Sequence, residues 1–202
     1  MAEVTEEAII QAAKDVFVSK GYAATRMQEI ADAANINKAM LHYYFRSKEA
    51  LFQVITIQTL EMMLPKFMGA LDDEGTVMEK IESIVSTYIE TIREHPHVPL
   101  FIITELSQKR ENFVKELEMR AKNFPKLRTF FDQMREEMMA GKIRTMSPMH
   151  LFLNVISLSV FPFIVQPVFC TIAGVSESRY DAMMQERADS VTNFIKSALR
   201  PD

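Results

Sequence analysis

The sequence predicts an all-α protein: a small N-terminal helical bundle followed by a larger helical domain. Three observations carry this. The 202 residues hold only five glycines and eight prolines, a supply of turn formers that suits long helices better than a turn-rich β fold. Apolar residues recur at three- and four-residue spacing through nearly every segment, the repeat of one helix face. Strand-like alternation and internal repeats are both missing from the pattern.

Each element has its own local signals. Thr5 is a cap ahead of the stripe Ile9, Ala12, Ala13, Val16 and Phe17, with Glu6 and Glu7 where the helix dipole favours acids. Gly21 is expected to end that helix in the left-handed region. Thr25 is expected to cap a short second helix that buries Met27, Ile30, Ala31 and Ala34. Asn35-Ile36-Asn37 makes a tight turn, and Asn37 caps a third helix, Lys38 to Phe45. Ser47 caps a fourth, which buries Leu51, Phe52 and Ile55. Farther on, Thr76 and Glu79 form a capping box before a helix that turns Val77, Ile81, Ile84, Val85, Tyr88 and Ile92 inward and stops at Pro96. Residues 98–108 read as another helix, and 111–140 as helical with a kink or a fresh start at Pro125. Ser147-Pro148 opens the apolar run Leu151 to Ala173, in which Pro162 and Pro167 are expected to bend or break the helix. A last helix from Ser176 turns Tyr180, Met184, Ala188, Val191, Ile195 and Ala198 to one side.

Composition narrows the function. Net charge is −4, yet between Lys14 and Lys48 the bases Lys14, Lys20, Arg26, Lys38, Arg46 and Lys48 outnumber Asp15, Glu29 and Asp32. The single Cys170 excludes an internal disulfide framework and fits a reducing compartment. No charged-then-apolar leader precedes Val4, so a cytoplasmic location is expected. The Leu151 to Ala173 run is long enough to span a bilayer, but Asn154, Gln166 and the two prolines, without flanking basic clusters, favour a buried helix and no membrane. There is no Gly-rich phosphate loop, no supported nucleophile–His–acid set and no metal-ligand spacing; His95, His97 and Glu105 are only loosely grouped. No enzyme activity, metal or cofactor is expected.

Two short helices joined by a tight turn and braced by a longer first helix describe a helix-turn-helix. On the third helix Leu41 and Phe45 face inward; Tyr44 and Phe45 are read as core. At about 100° per residue, Ala39 and Tyr43 then lie opposite Leu41, with Met40 and His42 on its flanks. Ala39 allows close backbone approach, its methyl or that of Met40 can touch a thymine methyl, and His42 and Tyr43 can bond phosphates or bases. Lys48 stands at a helix N-terminus, where free N–H groups already favour a phosphate.

The stretch Thr25 to Phe52 resembles the DNA-binding signature of the tetracycline-repressor (TetR) family of bacterial regulators. The matching elements are Gly21-Tyr22, Thr25, Ile30-Ala31, Ala34, Ile36, Leu41, Tyr44-Phe45 and Lys48-Glu49-x-Leu51-Phe52. Asn35 replaces the usual turn glycine but tolerates the left-handed region, and Asn37 keeps the cap where serine is common. Ala39-Met40, His42-Tyr43 and Gln28 depart from the common residues on the reading face, so the operator sequence cannot be carried over. The resemblance implies Arg26, Gln28, Lys38, Ala39, Met40, His42, Tyr43 and Lys48 as the DNA-facing set.

The resemblance also implies a helix-turn-helix domain at 1–47 and a ligand-binding and dimerisation domain at 48–202, with 48–64 as the connecting helix. It implies a homodimer through 151–173 and 177–199, reading a palindromic double-stranded operator, and a small-molecule effector held in the larger domain. Candidate pocket residues are Tyr88, Phe101, Phe124, Phe131, Met134, Met138 and Asn154, a set whose flexible methionines suit an adaptable, mostly apolar or amphipathic site. The expected function is a ligand-released repressor. The alternative is a dimeric small-molecule sensor that no longer binds DNA, which the unusual Ala39-Met40 pair and the acidic balance keep open.

Overall fold

The computed structural model describes residues 5–72, 74–108, 110–120 and 125–201. Among them are eleven α-helices and no strand. The N-terminal helices are α1 (Glu6–Lys20), α2 (Met27–Ala33), α3 (Lys38–Tyr44) and the long α4 (Lys48–Asp72). Then come α5 (Val77–Glu94), α6 (Val98–Gln108), α7 (Arg110–Arg120) and α8 (Pro125–Met139). The last three are α9 (Pro148–Ala173), α10 (Glu177–Gln185) and α11 (Arg187–Ala198). The helices form two compact units, one of Met1–Met62 with Pro96–Met119 and one of Met63–His95 with Arg120–Asp202.

In the first unit one apolar cluster gathers Ile9, Ile10, Ala13 and Phe17 of α1, Ile30 and Ala31 of α2, Leu41 and Phe45, and Leu51, Phe52 and Ile55 of α4. Each large side chain removed from water here stabilises the fold by about 1.5–3 kcal/mol. Phe101 of α6 completes the cluster, stacked on Phe52 at 4.6 Å and edge-on to Phe17 at 5.8 Å. Sequence periodicity gave no reason to place α6 with the N-terminal helices, and Phe101 was expected at an effector pocket. Its fully buried ring is head core instead.

The caps explain why the helices start where they do. Thr5 Oγ1 accepts the Ala8 N–H at 3.3 Å, Asn37 Oδ1 accepts that of Met40 at 2.8 Å, and Ser47 Oγ accepts that of Ala50 at 3.1 Å. Asn35 sits at φ 55, the left-handed conformation the turn requires. Gly21 has φ 77 and ψ 158, so it leaves α1 with positive φ but extended ψ rather than in the left-handed helical well. Thr25 is not the cap of α2. That position belongs to Arg26, whose N–H donates to Glu29 Oε2 at 2.8 Å, while Thr25 Oγ1 turns back to donate to the Gly21 carbonyl at 2.8 Å.

In the second unit α5 lies against α8, α9 and α11. Its core holds Ile81, Ile84, Val85 and Ile89 of α5, Phe130 and Met134 of α8, Leu151 and Val155 of α9, and Val191 and Ile195 of α11. The capping box is present: Thr76 N–H donates to Glu79 Oε2 at 2.7 Å, and Glu79 N–H to Thr76 Oγ1 at 3.3 Å. Buried Glu137 adds a third tie at this helix start, accepting the Val77 N–H at 2.9 Å and a Gln133 amide N–H at 3.1 Å.

Proline chemistry shapes the rest. Pro125 starts α8, as a residue without an N–H can at a first helical position. Pro162 and Pro167 do not break α9, which runs unbroken for 26 residues. Pro162 lacks the N–H that would reach the Leu158 carbonyl four residues back. Arg187 fills the gap, donating to that carbonyl from Nε at 3.2 Å and Nη2 at 2.9 Å, and Tyr180 donates its hydroxyl to the Pro162 carbonyl at 2.8 Å. The helix expected to run unbroken from Ser176 is two, α10 and α11, parted at Glu186 next to this arginine. No Gly or Pro announces the break, which falls beside the Arg187 that bonds the Leu158 carbonyl.

Burial of α9 differs from expectation. Leu151, Val155 and Ser159 are buried, but Phe161, Ile164, Val168, Phe169 and Ile172 are exposed, the last at 82%. The helix is long and apolar enough to cross a membrane. Its first half packs into the second-unit core, and within one chain nothing described covers the outer apolar side of its second half.

Candidate nucleic-acid interface

The helix-turn-helix presents a compact outward face. Leu41 is fully buried and Phe45 nearly so, which fixes the roll of α3 and turns the opposite side to solvent. Lys38, Ala39, Met40, His42 and Tyr43 are all exposed, Tyr43 most of all at 85%. Tyr44, read as core, is 36% exposed and instead braces Tyr43 edge-on at 5.6 Å. Tyr44 is the last residue of the seven-residue α3, where the helix is too short to bury both flanks of Leu41.

Polar contacts preset this face. His42 Nδ1 lies 3.2 Å from the Arg46 carbonyl, which can accept its proton and leave Nε2 as an acceptor. On α2, Gln28 donates to Asp32 at 2.7 Å, and exposed Arg26 stands at the helix start. Glu29, bonded by Lys20 at 2.6 Å and by the Arg26 N–H, has its carboxyl held below the usual carboxylate range by those bonds, so the α2 start stays anchored.

Lys48 is placed differently from the other seven predicted residues. It is half-buried, and its ammonium donates to the carbonyls of Tyr22 at 2.8 Å and Thr25 at 2.9 Å, with Ala23 at 3.4 Å. The same nitrogen lies 4.5 Å from the centre of the Tyr22 ring. Tyr22 donates its hydroxyl to Glu49 at 3.2 Å, and burial, reinforced by Glu49, pushes its pKa up to about 12. Sequence spacing marked Lys48 as a helix-terminal cation; it carried no sign of these three carbonyls, which only the fold brings together.

The described effector candidates fall in both units. Met134 and Met138 are closed core, Phe131 packs edge-on to Phe152 at 5.6 Å, and Asn154 is exposed. Phe101 belongs to the first unit, and Phe124 lies outside the described residues. Tyr88 lines a cavity of about 10 Å³ with Met63, Phe67, Thr87 and Thr91. That volume holds about one water molecule. The missed residues carry a faint signal, since Met63 and Phe67 on α4, and Thr87 and Thr91 on α5, are each four apart. Burial pushes the Tyr88 phenol up to about 12, so it remains a hydrogen-bond donor at neutral pH. A second cavity, of about 20 Å³, lies in the first unit between Gln53, Thr56 and Ile57 on α4 and Glu105, Asn112, Phe113 and Glu116. Among the described residues no three His, Cys, Asp or Glu side chains gather as a metal site would need.

A buried-faced α3 held by a left-handed turn, with rings and cations outward, defines a helix-turn-helix DNA-binding protein. Residues 9–55 match the sequence profile of the family described as bacterial regulatory proteins, tetR family. Over that stretch the chain carries a DNA-binding domain of the TetR type, and the relatives it resembles are transcriptional regulators. The transcriptional regulator RutR of Escherichia coli O157:H7 is 24% identical over 97% of this chain and 91% of its own length. UidR of Escherichia coli K12 is 34% identical over 42% of this chain, a match that spans only 43% of UidR. The transcriptional repressor KstR2 of Mycolicibacterium smegmatis is 24% identical over 67% of this chain and 66% of its own. Among solved structures, the TetR-family regulator PfmR of Thermus thermophilus superposes with a TM-score of 0.68 at 20% identity, over 92% of this chain and 97% of that one.

Proposed function

We propose that the protein is a homodimeric, cytoplasmic repressor that reads a palindromic operator through α3 and is released by a small, mostly apolar or amphipathic effector. The observation that carries the DNA-reading part is the exposed face of α3, with Tyr43 at 85% exposure directly opposite the buried Leu41. Lys38, Ala39, Met40, His42 and Tyr43 meet base edges and phosphates there, with Arg26 and Gln28 contributing from α2. The DNA-reading helices lie within 1–47, braced in the first unit by the start of α4 and by α6, and the effector and dimer contacts are assigned to the remainder of 48–202.

Support for the dimer comes from the open side of α9, where Phe161, Val168 and Ile172 stand exposed, continued on α11 by Phe194 at 64%. An apolar surface of this kind marks an interface. A palindromic operator read by such a dimer carries its two half-sites about one DNA turn apart, roughly 34–36 Å. Repression agrees with the name of KstR2. An effector that prefers the DNA-incompetent arrangement weakens binding by its differential affinity, typically ~1–3 kcal/mol of coupling. The small cavity at Tyr88 is the starting point for such a site and must open to admit more than a water.

Fluorescence-anisotropy titration against DNA from immediately upstream of the protein's own gene, at several salt concentrations, tests this. Saturable, salt-dependent binding with a stoichiometry of two chains per duplex is the expected result. Failure to bind that DNA or a random-sequence pool sinks the DNA-reading proposal and favours a sensor without DNA.

A further inference from the structure

We propose that Lys48 is a positioning residue, a clamp that closes the helix-turn-helix on itself, and not a phosphate ligand. This rests on α3 being the DNA-reading helix.

The geometry is specific. The helix-turn-helix begins where the chain leaves α1 and ends where α4 starts, and Lys48 joins those two places. Its ammonium has three N–H donors. Three carbonyls receive them, those of Tyr22 and Thr25 at ordinary bonding distance and that of Ala23 at 3.4 Å. The Tyr22 ring also lies against the ammonium, at 4.5 Å from its centre. Around this hub, Thr25 is buried and donates to the Gly21 carbonyl, and the Tyr22 hydroxyl reaches Glu49 in the first turn of α4. The turn from α1 to α2 is thereby tied at four points, Gly21, Tyr22, Ala23 and Thr25.

The consequence reaches the reading face. Arg26 and Gln28 follow directly on this turn, and α3 runs into α4 through only Phe45, Arg46 and Ser47. Holding the turn against Lys48 therefore sets where α2 stands relative to α3. A phosphate oxygen could take one of these donors only by displacing a carbonyl and loosening the turn that presents Arg26. Exposed Lys38 on α3 carries no such engagement and remains open to phosphate.

Amine-reactivity footprinting on the unmodified full chain tests the proposal. The protein is treated briefly with an acetylating ester, alone and bound to the duplex from upstream of its own gene, and each lysine is quantified by mass spectrometry. Lys48 is expected to react far more slowly than Lys38 in the free protein, and DNA is expected to leave its rate unchanged while protecting Lys38. A Lys48 that reacts as fast as Lys38 when free, and is protected by DNA, overturns the clamp. Loss of Lys38 protection on bound DNA counts against α3 as the reading helix and leaves the clamp standing.

A second arm uses Lys48→Met, with folding checked by its thermal melt. Operator affinity should fall by about tenfold or more, the loss of hydrogen bonds to a charged group. The slope of log affinity against log salt should match the wild type. A slope reduced by about 0.9 for each chain shows a lost phosphate contact and refutes the proposal. If the variant does not fold, the acetylation rates decide.

Discussion

Phe101→Ala is the substitution that most sharply separates a core position from a pocket position. The ring is fully buried and touches three others: Phe52 stacked at 4.6 Å, Phe17 edge-on at 5.8 Å and His97 edge-on at 5.6 Å. Truncating a buried phenylalanine costs about 3–5 kcal/mol in transfer and cavity terms together. Each well-placed ring pair adds about 0.5–1.5 kcal/mol beyond area. Since the 3–5 kcal/mol already contains the lost ring contacts, three such pairs place the expected loss at its upper end, about 4–5 kcal/mol, a large part of the roughly 5–15 kcal/mol typical of a domain. Phe101→Leu keeps most of the apolar volume and should lose about 1.5 kcal/mol. The assay is guanidinium unfolding followed by circular dichroism at fixed protein concentration, because dimerisation makes stability concentration-dependent. Two units can unfold in separate steps, and the loss should fall on the step that abolishes DNA binding. A loss below about 1 kcal/mol for Phe101→Ala would refute the placement of α6 in the head core.

Three further outcomes follow from single features. Asn35→Ala, at φ 55, should lower stability by about 1 kcal/mol while Asn35→Gly does not, as read by thermal melting; equal melts for both would remove the left-handed turn from the account. Arg187→Ala strands the Leu158 carbonyl and should cost about 1–3 kcal/mol, but much less in a Pro162→Ala background, where the restored N–H reaches that carbonyl. Additive losses in that double-mutant cycle would contradict the compensation. In an alkaline ultraviolet titration, Tyr22 and Tyr88 should ionise only near pH 12. Their folded pKa values are raised above the ordinary 10.0, so the stability they contribute is complete below pH 10 and lost as pH rises through about 12. A Tyr88→Phe chain with the same late titration as the wild type would contradict the assignment of Tyr88.

Local chemistry made much of the fold legible in the sequence. Thr5, Asn37, Ser47, Thr76 and Ser147 announced helix starts because a side-chain oxygen that caps a free N–H is a short-range, two-partner event. Leu41 likewise fixed the roll of α3, and with it the exposure of Ala39 and Tyr43. Long-range partners were the illegible part. Phe101 carried the same periodicity signal whether it packed on α4 or lined a pocket, and Arg187 showed no trace of the proline-freed carbonyl it serves. Tyr44 was misread because a seven-residue helix cannot bury a flank as a long one does. Lys48 was correctly seen at a helix start, but an ammonium near an N-terminus reads alike whether it meets phosphate or three carbonyls. An effector pocket is the least legible feature, since a set of rings and methionines describes core and cavity equally well.

We propose above all that the exposed face of α3 enters the major groove. Dimethyl-sulfate footprinting of the bound upstream duplex tests it, because the reagent attacks guanine N7 in the major groove and adenine N3 in the minor groove. Guanine N7 protection is expected in two blocks about one DNA turn apart, with adenine N3 left reactive and both blocks lost for Tyr43→Ala. Adenine N3 protection without guanine N7 protection, or unchanged blocks with Tyr43→Ala, would contradict it.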